Sequence, residues 1–390
     1  MTVTWLTIET IYHFLRNESE VFSCVMDMRK AFDMVQQRLL LRKLLSFLKQ
    51  LISCIFTMVN GVKQGAVLSA LLYCIYVNGL FEKLRFKRAG CWMGSTYLGI
   101  LGYADDNLLL APSRQALQEM LLTCELYAKE HNLQFSTNEN PTKSKTKCLA
   151  FLKKQRIIPE MRLNGRNLPW VKSGIHLGNT VENDINGMKQ DTRVKRAGYI
   201  QKNNELNQEF RFAHPRTKFH LNAVYNSHFS GSSLWNLFGK EVKMMETSWN
   251  LSFKIKYDLP LLTHRYFVEP ITGKNHAKTL MIKNFLKFCE LIVSSKKEAL
   301  KNVFLQIRRN VLTFTGSNLR KISSLMNKSD ITELKSSLVK QNLVYEPIPE
   351  GEKWRISILE EIIDFHEEKL EIQGFERTEL DEILEFICVT

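Results

Sequence analysis

Three aspartates in the first third of the chain stand where carboxylates could act together. Asp27 ends the apolar run VFSCVM, and the pair Asp105-Asp106 lies between two further apolar runs in TYLGILGYADDNLLLAPS. A continuous apolar run of this length reads as a strand buried on both faces. Two such runs about a two-residue polar pair read as a hairpin. A carboxylate at a strand end, facing an Asp-Asp pair in a neighbouring turn, could hold two divalent cations. Cations about 3.5–4 Å apart lower the pKa of an attacking hydroxyl and stabilise charge developing on a transferring phosphate. Magnesium takes hard oxygen ligands and keeps several waters, so two or three protein carboxylates suffice. Singly, each piece is weak. An Asp-Asp turn is usually only a turn, and an Asp at a strand end is commonly a cap.

The surrounding pattern supplies the elements that must position such a set. Asp33 occupies an N-cap position before MVQQRLLLRKLLSFLKQL. NGVKQGAVLSALLYCIYVNGLFEKL reads as a turn leading into an apolar helix. Ser113 caps a helix whose Leu117, Met120, Leu121, Cys124 and Ala128 share one face. LQFST and CLAF read as short strands on either side of the polar loop NENPTKSKTK. Asn164-Gly165 between apolar residues is the strongest short hairpin signal in the chain. From about residue 185 to 340 the pattern is mostly helical and rich in lysine, and residues 352–388 read as one or two acidic amphipathic helices. There is no internal repeat and no low-complexity tract.

Charge is placed unevenly. The formal net charge is +14 over 390 residues. From Asn342 on there are 14 acidic and 4 basic side chains, which leaves the first 341 residues at +24. Such a body has the electrostatic footprint of a polyanion binder, although a solvated basic surface gives the same composition. The eight cysteines are scattered with no C-x-x-C pair, which argues against a zinc knuckle or a disulfide framework. A reducing compartment, cytoplasm or nucleus, fits this usage. No signal peptide is legible at the N-terminus. The longest uncharged apolar stretch, residues 65–81, is short of the ~20 needed to span a bilayer and reads as a buried helix. No membrane association is expected.

Five motifs then occur in one order. Asp27-Met-Arg-Lys-Ala-Phe-Asp33, Asn60-Gly-Val-Lys-Gln-Gly-Ala-Val-Leu-Ser69 and Tyr103-Ala-Asp-Asp106 come first. His131-Asn-Leu-Gln-Phe-Ser-Thr with Asn140-Pro-Thr-Lys-Ser-Lys145, and Trp170-Val-Lys-Ser-Gly-Ile-His-Leu-Gly178, follow. Together they resemble the palm motifs and primer grip of reverse transcriptases of non-LTR retrotransposons, over residues 20–180 specifically. The resemblance implies an α+β fold: a reverse-transcriptase palm of the ferredoxin-like βαββαβ type, then a mostly helical thumb and C-terminal helices. The expected organisation is an N-terminal segment at 1–20, palm at 21–155, primer-grip hairpin at 156–185, basic helical thumb at 186–341 and acidic helical tail at 342–390. The implied function is RNA-directed DNA polymerisation, with RNA template, DNA primer and deoxynucleoside triphosphates as partners and two Mg2+ ions (Mn2+ being possible) as cofactors.

Carried over motif by motif, Asp27, Asp105 and Asp106 are the metal-binding, catalytic carboxylates. Phe32 matches the position that packs under the sugar of the incoming nucleotide and excludes a 2′-hydroxyl; otherwise it is an ordinary core phenylalanine. Gln64 and Gly65 match the pair that contacts nucleotide and template backbone. Lys143 is a candidate to protonate or neutralise the leaving pyrophosphate, or one more solvated lysine beside Lys145 and Lys147. Residues 207–239 mix Phe210, Phe212, Phe219, Tyr225, Phe229 and Trp235 with Arg211, Arg216 and Lys218. They read either as a thumb that grips duplex through phosphates or as a helical core with a basic outer face.

The sequence also departs from the family. Only 26 residues precede Asp27, where the family has a fingers domain with basic residues that grip the triphosphate, and Arg29 and Lys30 do not obviously replace them. The step from Asp33 to Gly61 is 28 positions, shorter than usual. Asn107 replaces an apolar residue after YADD, at a cost of about 1–3 kcal/mol if it is unpaired in the core. Neither an endonuclease domain nor a Cys-His knuckle is present in this sequence. The expectation is a truncated copy that polymerises poorly. The alternative reading is a catalytically dead remnant that binds nucleic acid non-specifically.

Overall fold

The apolar runs around the three aspartates do become adjacent strands. The computed structural model describes residues 1–47, 69–140, 143–154, 156–183, 188–226, 229–264, 276–310 and 313–326. They divide into two units: Met1–Met188 with Lys297–Thr313, and Lys189–Lys296 with the residues from Phe314 on.

The first unit begins with α1 (Thr2–Arg16), β1 (Val21–Met26), α2 (Gln37–Phe47) and α3 (Ser69–Phe86). A two-residue ladder, β2 (Trp92–Met93) with β3 (Thr96–Tyr97), leads to β4 (Ile100–Tyr103), β5 (Asp106–Ala111), α4 (Arg114–Glu130) and β6 (Lys147–Phe151). Two hairpins follow, β7 (Met161–Leu163) with β8 (Arg166–Leu168) and β9 (Ser173–His176) with β10 (Asn179–Glu182). β4, β5, β1 and β6 form one antiparallel sheet in that order.

Both faces of this sheet are covered, which explains why its strands read as unbroken apolar runs. Phe22, Cys24, Met26, Leu109 and Ala111 pack into a core with Leu117, Leu121 and Cys124 of α4 and Tyr73, Tyr76, Val77 and Leu80 of α3. The alternate residues Val21, Leu108 and Leu110 are also buried, on the face that meets α1. Cutting Leu109 back to alanine would cost about 2–5 kcal/mol. The helix expected after Ser113 is α4: the Ser113 hydroxyl accepts from the Ala116 N–H at 3.1 Å, satisfying one of the free donors of the first turn. Asn164 and Gly165 take φ of +53° and +71°, as their hairpin requires.

Two expectations need correcting. α2 starts at Gln37 rather than directly after Asp33, because the Asp33 and Met34 N–H groups are used in a turn on the Lys30 carbonyl. Residues 133–137 form only a single bridge, Phe135 to Met28, instead of a strand. The cysteines, far apart in sequence, partly converge: Cys24 and Cys148 are directly opposed on β1 and β6. A hydrogen bond to Cys148, burial, and the neighbouring Cys124 push the Cys24 thiol pKa well up, so Cys24 stays a protonated core side chain.

His176 ends β9 at 2% exposure with no hydrogen-bond partner on either ring nitrogen. Burial, with the chain's N-terminal charge second, pushes its pKa down to about 4. The unfolded chain takes up a proton below pH ~6.5, which the folded chain does not accept until pH reaches about 4. Stability should therefore fall across that window by about 3 kcal/mol. Denaturant melts at pH 7, 5.5 and 4.5 should show the loss, and His176→Leu should flatten it; an unaltered slope in that variant would assign the effect elsewhere.

The second unit is helical: α5 (Lys189–Glu209), α6 (Pro215–Tyr225), α7 (Lys240–Lys256) and α8 (Ala277–Val293). α9 (Glu298–Ile307) returns to the first unit, where Phe304 meets Trp5 of α1. α10 (Phe314–Met326) completes the second. Its interior carries a polar network. Tyr199 hydrogen-bonds Ser252 at 2.7 Å and accepts from Asn222, while Asn226 donates to the Tyr199 carbonyl. The Lys256 ammonium is buried there on Asn203. Burial, helped by Lys218, pushes its pKa down to about 8. The acidic tail lies outside the described residues. Among the described residues no helix is long and apolar enough to cross a membrane.

Candidate active site

β1 and β5 pair from Phe22 opposite Ala111 to Met26 opposite Asn107. Asp27 follows directly on the end of that register, and its charge acts on Asp106, the residue before Asn107. The hairpin that carries the Asp pair turns one residue earlier than its sequence suggests. Tyr103 pairs with Asp106, so the two turn residues are Ala104 and Asp105, not Asp105 and Asp106. Ala104 takes φ of +54°, a strained value for a residue with a Cβ.

The two aspartates consequently differ. Asp105 lines a cleft of about 610 Å³ together with Asp27, Arg29, Lys30, Phe32, Asp33, Lys143 and Lys145. Asp106 is exposed at the start of β5 and is not among the lining residues. Its acidity is nevertheless weakened, by partial burial of the carboxyl and then by the charges of Asp105 and Asp27. The three carboxylates therefore feel one another. Repulsion of that kind is what a bound divalent cation relieves, and two or three oxygens with retained waters satisfy magnesium. Among the described residues, no group of three or more His, Cys, Asp or Glu side chains converges as a ready-made metal cage.

Asp27 is held by backbone contacts that local sequence did not announce. Its carbonyl accepts from the Ser136 N–H at 2.7 Å, and its N–H donates to the Thr146 hydroxyl at 3.4 Å. Thr146 in turn donates its N–H to the Ser136 carbonyl, and the buried Ser144 hydroxyl bridges toward Ser136 and Thr146. Burial of Ser144 and Thr146 leaves Lys143 and Lys145 exposed and lining the cleft. Thr146→Val should cost about 1 kcal/mol by removing one hydrogen bond, whereas Thr146→Ser keeps the hydroxyl that accepts from the Asp27 N–H. Thermal melts of the two variants, side by side, measure this; equal melting temperatures would mean the hydroxyl contributes nothing.

Phe32 is half-buried and packs on Tyr73, with ring centroids 5.3 Å apart. Tyr73 is fully buried and donates its hydroxyl to the Met28 sulfur. Burial, and then the nearby Asp105 charge, raise its pKa strongly. Asn107 is completely buried; its amide donates to the Asp105 carbonyl at 3.2 Å, while its Oδ1 has no hydrogen-bond partner. The polar side chain expected to burden the core thus braces the turn with one of its two ends. Gln64 and Gly65, and Pro141 and Thr142 of the fourth motif, lie outside the described residues.

The cleft brings carboxylates and cations together beside a sheet flanked by helices. Residues 6–178 match the family described as "Reverse transcriptase (RNA-dependent DNA polymerase)". A curated relative is the "Retrovirus-related Pol polyprotein from type-1 retrotransposable element R2" of Nasonia vitripennis, 28% identical over 136 residues, covering 29% of this chain and 13% of that protein. The match thus spans a small part of the polyprotein. Residues 6–178 therefore resemble an RNA-dependent DNA polymerase domain, and part of the chain is similar to a non-LTR retrotransposon Pol. A solved structure of telomerase from Candida albicans with a fragment of telomeric RNA covers 87% of this chain and 52% of its own. Its identity is 11% and its TM-score 0.34.

Proposed function

We propose that this chain is a reverse transcriptase of the non-LTR type that extends a DNA primer on an RNA template. The observation that carries the proposal is the single cleft that holds Asp27, Asp105, Phe32 and Lys143 together with Arg29, Lys30 and Lys145. The strand order β4-β5-β1-β6, with helices joining β1 to β4 and β5 to β6, supports reading the first unit as a ferredoxin-like palm. Asp27, Asp105 and Asp106 would hold the two Mg2+ ions. When bound, these ions would lower the pKa of the primer 3′-hydroxyl and neutralise charge on the phosphate.

The protein's own part is positioning and electrostatics. The primer 3′-oxygen bonds to the α-phosphorus as the bond to the bridging oxygen breaks, and pyrophosphate leaves. Arg29, Lys30 and Lys145 face the triphosphate, and Lys143 gives a proton or its charge to the leaving group. In this reading these four cations, which line the cleft, would supply part of the grip expected of a fingers domain. Phe32, backed by Tyr73, stands under the sugar. Gln64 and Gly65 are assigned to nucleotide and template by motif alone.

Primer extension by the purified chain on a homopolymer RNA template, with and without magnesium, tests the proposal. Magnesium-dependent incorporation of deoxynucleotides is expected; none at any protein concentration would overturn it. One observation favours the second reading, a catalytically dead binder: Asp106 stands outside the cleft lining. RNA binding without extension is the result that reading requires.

A further inference from the structure

Asn107 is a polar side chain in a place built for an apolar one. It is completely buried opposite Gly102, and β5 continues from it as the buried Leu108, Leu109 and Leu110. Its Oδ1 has no hydrogen-bond partner, so the folded chain bears the desolvation cost of a buried acceptor. Its Nδ2 donates to the Asp105 carbonyl at 3.2 Å. Leucine branches at Cγ in the same way and would leave no unpaired atom, so stability alone favours leucine at this position. What the amide does that leucine cannot is hold the carbonyl of Asp105. That turn needs holding. Of its two residues only Ala104 has a positive φ, the pattern in which glycine is the usual choice at that position. A residue with a Cβ is kept there only where neighbouring contacts over-determine it.

We propose that Asn107 is a positioning residue for metal binding: its amide fixes the strained turn of Ala104 and Asp105 so that the Asp105 carboxylate is held toward the cleft. This rests on the reading of Asp27, Asp105 and Asp106 as magnesium ligands. Asp105 is the member of the adjacent pair that lines the cleft, and it sits in the turn rather than in the strand ladder. The direction of its carboxylate therefore depends on the peptide planes on either side of it. The Asp105 carbonyl belongs to the second of these planes, and Asn107 ties it to the packed core. Magnesium demands near-octahedral geometry at short distances. A ligand whose supporting contacts let it drift by about 1 Å makes a loose site. Completely buried, Asn107 reaches neither cation nor nucleotide and acts only through Asp105.

The test separates donor from packing with variants of the full chain. Asn107→Leu removes the donor and the unpaired acceptor together, whereas Asn107→Ala removes the donor and leaves a void. In metal-free melts the leucine variant should unfold at or above the parent's temperature and the alanine variant below it. Mn2+ binding, read by electron paramagnetic resonance without substrate, should weaken about fivefold or more in both. The Mg2+ concentration for half-maximal primer extension should rise in parallel, with most of the extension restored at saturating Mg2+. Ala104→Gly relieves the strain in the turn, so combining it with Asn107→Leu should shrink the effect of the latter. Mn2+ affinity unchanged from the parent in either variant would overturn the proposal and leave Asn107 as packing. A parent that binds no Mn2+ overturns the metal reading of the site and this inference with it. A parent that binds Mn2+ without extending primer, and loses that binding in both variants, keeps this inference and discards the catalytic one.

Discussion

Asp105→Asn will abolish primer extension and leave the metal-free protein more stable than its parent. The two effects share a cause. Asp105 lines the cleft, and its charge, after partial burial and together with that of Asp27, raises the pKa of Asp106. Without a cation the site is a cluster of like charges on adjacent strands, and neutralising one member relieves repulsion. With the cation, the same change removes a ligand, and the expected loss of turnover is about 10³-fold or more, roughly 4 kcal/mol of transition-state stabilisation. The sign of the pH dependence follows. A carboxyl whose folded pKa lies above its unfolded value makes the folded state gain stability as pH falls through that folded pKa. Asp106 should contribute such a gain in the parent and less of it in Asp105→Asn. Melts without metal between pH 7 and 4, beside single-turnover extension with magnesium, measure both halves. A variant that loses activity and also stability would mean that Asp105 is a structural turn residue.

The second large effect is expected at Phe32. Its ring rests on Tyr73, which is fully buried and tied to Met28, so the wall it forms cannot easily recede. Forcing an additional group into packed space costs about 1–3 kcal/mol, which is up to about 10²-fold in relative rate. Phe32→Ala should therefore lower discrimination against ribonucleotides by about 10²-fold, mainly by raising kcat/KM for the ribonucleotide. The ratio of kcat/KM for dCTP and CTP gives the answer directly. A ratio unchanged within threefold would make Phe32 an ordinary core side chain, which its contact with Tyr73 alone would also allow.

What was legible in the sequence is what local pattern encodes. The runs that became β1, β4 and β5 are apolar without a break because both sheet faces are covered, and Ser113 and Asn164-Gly165 carry capping and turn chemistry in single residues. The limits are equally physical. The placement of the Asp turn was off by one residue because a strained Ala104 in the left-handed region, rather than Asp106, occupies it. The Ser136–Thr146 clamp on Asp27 joins residues 119 positions apart, and no periodicity announces such a contact. LQFST has strand composition but finds only a single bridging partner, so tertiary context overrode propensity. Phe219 and Phe212 are the same residue type seven positions apart, and only the helix axis decides which is core and which is surface.

Gly102 and Asn107 stand opposite one another beneath the turn that carries Asp105. A Cβ on Gly102 would come within 2.6 Å of the Asn107 Oδ1 and 2.6 Å of the Phe81 ring. No single substitution at Gly102 is therefore accessible while both neighbours keep their size. Shrinking Asn107 alone releases the Asp105 carbonyl and still leaves the ring in the way. The three positions form one mutational unit, reachable only by concerted change, so drift in this lineage would be expected to pass around the hairpin rather than through it. The constraint follows from packing, so it would hold in a copy that had lost its activity as well as in one that retained it.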